Sequence, residues 1–113
     1  MSTTRQNKVA RLLQQDISDI LQKESMNLFR GAMLSVTIVR ISPDLSFAKV
    51  YVSIFAPNAT DKEMIFEALN QNAPKIRMLL AKRVSKQLRI VPQLAFFIDD
   101  SLDYDEKISN LLN

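Results

Sequence analysis

Residues 74–89 read P-K-I-R-M-L-L-A-K-R-V-S-K-Q-L-R, and this stretch decides how the rest of the chain is arranged. Ile76, Leu80, Val84 and Leu88 recur at every fourth position, which draws one apolar stripe along a helix running to about Leu88. The same stretch carries Lys75, Arg77, Lys82, Arg83, Lys86 and Arg89 and no acid. At about 100° per residue, Lys75, Lys82, Lys86 and Arg89 fall within an arc of roughly 60°, away from the apolar stripe. One short helix therefore offers an apolar face to a core and a separate cationic face to solvent. Pro74 suits the first turn of this helix, because no amide hydrogen is needed there. It cannot continue a helix arriving from upstream, so Asn72-Ala73-Pro74 is read as a break, or kink, between two consecutive helices.

Working outward, residues 61–70 form the helix before the break. Thr60 and Glu63 have the spacing of a capping box at its start. Upstream, Ser46 to Phe55 alternates, with Ala48, Val50, Val52 and Ile54 on one face and Phe47, Lys49, Tyr51, Ser53 and Phe55 on the other. Met33 to Ile41 is rich in β-branched residues, and Ser42-Pro43-Asp44-Leu45 between the two runs is a turn, so they pair as an antiparallel hairpin. The first segment, Arg5 to Glu24, is an amphipathic helix. Val9, Leu12, Leu13, Ile17, Ile20 and Leu21 face a core, and Arg5, Lys8, Arg11 and Gln15 lie opposite. Downstream, Pro92 ends the helical region and Leu94 to Ile98 is a short buried strand. Ile108, Leu111 and Leu112 suggest a last helical turn. The order helix, strand, strand, helix, helix, strand predicts an α+β domain with helices on one face of a three-stranded sheet.

With 113 residues, 47% hydrophobic and 24% charged, the chain has the composition of one soluble domain spanning residues 1–113, with residues 1–4 and 110–113 expected to fray. There is no cysteine, which excludes disulfides and thiolate zinc sites, and no histidine, which removes the commonest general base and metal ligand. Net charge is only +3, but every charged residue from Ala68 to Ile98 is basic, whereas Asp99, Asp100, Asp103, Asp105 and Glu106 follow without a base among them. Such blocks imply an oriented surface rather than uniform solubilising charge. No apolar run follows the opening M-S-T-T-R-Q-N, and no stretch approaches the ~20 apolar residues of a membrane span. A cytoplasmic chain without a signal peptide is the expectation.

Three strings carry a family resemblance: N-K-V-A-R-L-L-Q-Q-D-I-S-D-I-L-Q-K-E, then D-L-S-F-A-K-V-Y-V-S, then L-R-I-V-P-Q-L-A-F-F-I-D-D-S-L. The chain resembles the bacterial ribosome-binding factor A family over nearly its whole length. The resemblance implies a KH-like fold of the second type with a kinked helix pair and no Gly-x-x-Gly loop. It also implies a non-enzymatic, cold-associated factor that binds the small ribosomal subunit or its precursor rRNA and assists late rRNA processing. The family marks its kink with Ala-x-Gly. Here the matching positions are Asn72, Ala73 and Pro74, so the break is made by different chemistry.

The cationic face is the candidate site. Lys75, Lys82, Lys86 and Arg89, with Arg83 counted beside them, are expected to meet the phosphates of RNA. Lys8, Arg11 and Arg5 on the first helix extend the surface. The alternative is a protein-interaction module whose basic helix docks an acidic partner. Asp16 and Arg77 each fall within an apolar arc, and the expectation is that they pair or that each finds a polar partner at the domain edge. Phe47, Tyr51 and Phe55 share a strand face, but the RRM signature is absent and packing is their expected use. The acids from Asp99 to Glu106 lack the turn glycine and final Glu spacing of an EF-hand, so they read as a strand-end turn, with Ser101 or Asp103 capping a short helix. No nucleophile with a base and no phosphate-cradling glycine loop is visible. Neither enzyme activity, cofactor, metal nor small-molecule substrate is expected, and the free chain is expected to be a monomer.

Overall fold

A computed structural model of the chain describes residues 4–55 and 59–99. The expected terminal fraying, the turn at Ile108, Leu111 and Leu112, and the cap at Ser101 or Asp103 lie outside these residues. The exception is Thr4, which opens the first helix instead of fraying.

Helix α1, Thr4–Lys23, buries Val9, Leu13, Ile17, Ile20 and Leu21, the stripe its periodicity predicts. A single-turn helix α2, Ser25–Leu28, follows directly. The Ser25 hydroxyl donates to the Ala32 carbonyl at 2.7 Å, and the Gly31 amide donates to the Ser25 carbonyl at 3.0 Å. Arg30 and Gly31 both take the left-handed conformation, with φ of 53° and 80°. That reverses the chain and leaves Phe29 buried beneath the connector.

Strands β1, Met33–Ile41, and β2, Phe47–Phe55, pair antiparallel from Met33–Phe55 to Ile41–Ala48. Their connection is held by Asp44. Its carboxylate accepts from the Ser42 hydroxyl at 2.7 Å, the Ser46 hydroxyl at 2.7 Å and the Ser46 amide at 3.1 Å. These donors favour the ionised form and hold the Asp44 carboxyl down to about 2, with the Ser42 hydroxyl the largest cause. The pairing slips between Val36 and Ile38, a bulge that the alternation rule did not anticipate. It puts Leu34 and Val36 on the core face before the slip and Val39 after it.

Helix α3, Ala59–Gln71, starts two residues before the expected Asp61, so Thr60 lies inside its first turn rather than at the cap. The break then falls where Pro74 demands it. Asn72 has φ −96° and ψ 8°, and helix α4, Ala73–Val84, begins with proline in its first turn. Asn72 seals the joint. Its side-chain amide donates to the Ala68 carbonyl at 2.8 Å, and its own carbonyl accepts from the Ile76 amide at 2.9 Å. Ile76, Leu80 and Val84 are buried as their spacing requires, while Leu88 is only half-buried. The helix stops at Val84 instead of Leu88. Its last turn tightens, the Gln87 and Leu88 amides both donating to the Val84 carbonyl at 2.9 and 2.8 Å, because the chain must turn back toward the sheet. Strand β3, Gln93–Ile98, joins β2 in parallel, giving the order β1-β2-β3 with β2 in the centre.

The helices cover one face of this sheet. Ala48, Val50, Val52 and Ile54 of β2 point into the core with Phe96 of β3, Leu69 of α3 and the α1 and α4 stripes. Burying each Leu, Ile or Val contributes roughly 1.5–3 kcal/mol, so this single cluster carries the fold. No helix among the described residues is long and apolar enough to cross a membrane.

Candidate nucleic-acid interface

The two arginines of α4 that are not on the outward stripe sit on opposite flanks of its apolar face. With each residue turning about 100°, Arg83 lies roughly 60° to one side of Leu80 and Arg77 roughly 60° to the other. The flank of Arg83 faces α1. Its guanidinium reaches Asp19 at 2.6 Å and Asp16 at 3.8 Å, and Lys23 completes the group at 3.1 Å from Asp19. The Asp19 carboxyl is held below its usual range, chiefly by the hydrogen bond from Arg83 and then by that from Lys23. The flank of Arg77 faces the approach to β3, where its Nε donates to the Pro92 carbonyl at 3.1 Å and its Nη2 to the Val91 carbonyl at 2.7 Å. Asp16 and Arg77 therefore do not pair; each finds a polar partner of its own, which is the other arm of the expectation. Asp16 meets Arg83, and Arg77 meets two backbone carbonyls at the edge of the domain. Spacing marks Arg77 as lying on the apolar arc, but Arg83 sits at the same angular offset on the side that meets α1.

This division leaves Lys75, Lys82, Lys86 and Arg89 exposed, and none of the four enters an ion pair among the described residues. Lys75 and Lys82 stand on α4 itself, Lys86 in its closing turn and Arg89 past its end. Arg83, half-buried and committed to the α1 acids, is not presented with them. Arg5 of α1 and Arg89 line one hollow of about 390 Å³ with Asp44 and Leu88, so the structure brings the start of α1 to the end of the cationic run. Lys8 and Arg11, both exposed, border a different hollow of about 440 Å³ with Thr4, Asn7 and Gln15, on the outward side of α1. A third hollow, about 560 Å³, lies between the α2–β1 connector and α3. It is lined mostly by apolar groups such as Phe29, Met33, Phe55, Met64 and Ile65, with Arg30 and Asp61 beside them, and holds none of the bases expected at the site.

Two glutamines of α1 also take structural roles that spacing did not announce. Gln6, buried, donates to the Ile41 carbonyl at 3.0 Å, and Gln14 donates to the Val36 and Thr37 carbonyls, each at 3.3 Å. Gln6 sits on the apolar side of the α1 wheel, which is the one signal that could have found it. Of the acids from Asp99 to Glu106 only Asp99 is described. It accepts a hydrogen bond from the Thr37 hydroxyl. No cluster of acids able to hold a metal ion occurs among the described residues.

The element order, the three-stranded sheet with β3 parallel to a central β2, and the helices on one face define a KH-like domain of the second type. Its single glycine is Gly31 in the α2–β1 connector, so the Gly-x-x-Gly loop is absent. The chain belongs to the ribosome-binding factor A family, whose model matches residues 5–112. The ribosome-binding factor A of Cytophaga hutchinsonii is 42% identical over 113 residues, covering 100% of this chain and 84% of that one. That of Flavobacterium johnsoniae is 48% identical, covering 99% and 85%. Among solved structures, ribosome-binding factor A from Thermus thermophilus matches with a TM-score of 0.66 at 29% identity, over 82% of this chain and 94% of that one. A model of the Thermus thermophilus protein fitted into a cryo-EM map of a 30S complex matches with a TM-score of 0.58 at 30% identity, over 76% and 86%.

Proposed function

We propose that this chain is a non-enzymatic assembly factor that binds the small ribosomal subunit, or its precursor rRNA, in the cytoplasm and assists late rRNA processing and maturation, with greatest demand in the cold. The observation that carries the reading is the sorting of bases on and beyond α4. Arg77 and Arg83 are used to hold the fold together, whereas Lys75, Lys82, Lys86 and Arg89 are left exposed and without an ion pair among the described residues. Phosphate oxygens are the ligand such a surface favours, since each contact releases a condensed counterion. Arg5 extends it at the Arg89 end, and Lys8 and Arg11 add charge on α1. The relative fitted into a 30S complex supports the choice of the small subunit as the polyanion. The mechanism is occupancy: the basic surface grips the rRNA backbone, holds an immature conformation and leaves when that conformation matures.

The test is co-sedimentation with small subunits across a salt series. Four phosphate contacts give a log-log slope near −3. Replacing Lys75, Lys82, Lys86 and Arg89 together by Gln takes about 3 off the parental slope, while Arg83→Gln leaves it nearly unchanged. A quadruple variant with the parental slope refutes the reading. Binding that survives complete RNA digestion assigns the surface to an acidic protein instead.

A further inference from the structure

The outer face of the sheet carries a second pattern, of a different chemistry. The register sets Ile38, Tyr51 and Phe97 side by side in one row across the three strands. Arg40, Lys49 and Ala95 form the next row, and Phe47 stands beside Gln93 in the row after that. Rings therefore alternate with cations along the face, at a step of about 6.6 Å for every two residues. Tyr51 and Phe47, four residues apart, therefore stand about 13 Å from each other along the strand, with the cation row between them. Tyr51 and Phe97 are stacked on each other, centroids 5.4 Å apart and planes 28° apart, which leaves the ring faces turned away from this contact for another π-system. Tyr51 is half-buried and Phe97 exposed. Ile38, Phe97 and Phe47 remain 41%, 40% and 38% exposed. From Phe47 to Phe97 these rows hold no acid. Asp99 lies past Phe97, where it accepts from the Thr37 hydroxyl.

We infer that this face binds single-stranded RNA, with Tyr51, Phe97 and Phe47 stacking bases and Arg40 and Lys49 meeting the phosphates between them. Aromatic platforms with interleaved cations serve this purpose because every base has a π-face and every linkage a charge. A second copy of the chain fits less well. Three strands about 4.8 Å apart, over about nine residues, offer roughly 400 Å² of face, against about 800 Å² per partner in a stable dimer. The sheet face is separate from the α4 cations, and the inference stands or falls apart from the function proposed for them.

The experiment titrates the full chain with single-stranded oligouridylate and oligoadenylate of about eight nucleotides, and with a duplex of equal length, following ring resonances by NMR and affinity by anisotropy. Single strands shift the Tyr51 and Phe97 ring signals upfield, and the duplex, whose bases are already stacked, does not. Tyr51→Leu and Phe97→Leu each weaken single-strand binding about tenfold or more, and Tyr51→Phe retains it. Lys49→Gln lowers the salt slope by about one. The quadruple Gln variant of the α4 stripe keeps the ring shifts, so a failure of the stripe is told apart from a failure of the sheet face. Ring signals unmoved by single strands overturn the inference. So do equal shifts with duplex or inorganic polyphosphate, and so do shifts that arise on concentrating the chain without RNA, which would mark a contact between copies.

Discussion

Strand β2 has two faces built from alternate residues, and they obey different rules. Ala48, Val50 and Val52 are fully buried under α1, α3 and α4, and Ile54 nearly so, each held by the shape of its neighbours. Phe47 and Phe55, one residue beyond this inner set at either end, are 38% and 71% exposed. Larger side chains thus stand on the open side and smaller ones in the core. Hydrophobicity alone does not send a residue inside; the pleat does, because a shift of one residue would exchange the two sets. An apolar side chain on the inner face contributes stability, and one on the outer face is available for contact with something else.

Substitution breaks the comparison most sharply at the core. Leu34→Ala on the inner face of β1 is expected to cost about 2–5 kcal/mol in chemical denaturation, through lost burial and the cavity left behind. An intermediate effect is expected at the seam where α4 meets the lead into β3. Arg77→Ala deprives the Val91 and Pro92 carbonyls of their donor and should cost about 1–2 kcal/mol, with loss of amide protection concentrated in β3. The outer face supplies the small end of the scale: Phe55→Ser should change stability by no more than about 0.5 kcal/mol. If Phe55→Ser destabilises as much as Leu34→Ala, the two faces do not differ as described. The turn that joins β1 to β2 has a pH signature. The Asp44 carboxyl falls from an ordinary 3.8 to about 2 on folding, so its contribution is complete above pH 4 and is lost as pH falls toward 2. The stability gap between the parent and Asp44→Asn, measured by denaturant titration, should be constant at neutral pH and close over that window.

Much of this architecture was legible because local rules and tertiary packing agree. The hairpin and the two faces of β2 follow from the Ser42–Leu45 turn and the alternation in β2, and the helix break follows from Pro74, whose ring and missing amide interrupt the helix. The bulge in β1 was not legible. The run S-V-T-I-V-R-I holds β-branched residues in both phases, so nothing local says where the alternation slips. The α2 turn was missed because four residues carry no periodicity. At the candidate site, the stripe of Lys75 and Lys82 could be read from spacing alone. The partner of Asp16 could not, since it depends on which flank of α4 meets α1, a property of docking that neither helix encodes by itself. The end of α4 was overrun for a related reason: Leu88 keeps the apolar period, but the need to deliver Gln93 beside β2 ends the helix first.

The glutamines of α1 have a consequence for behaviour at high concentration. Strand β1 is an edge of the sheet, and an edge with open carbonyls is a template for another molecule's strand. Gln6 and Gln14 occupy the carbonyls of Ile41, Val36 and Thr37, and the bulge at Thr37 bends the ribbon out of the straight line that a second strand would need. The fold thereby carries its own guard against polymerising through β1, which lets an apolar outer face stay exposed without the molecules zipping together into fibrils.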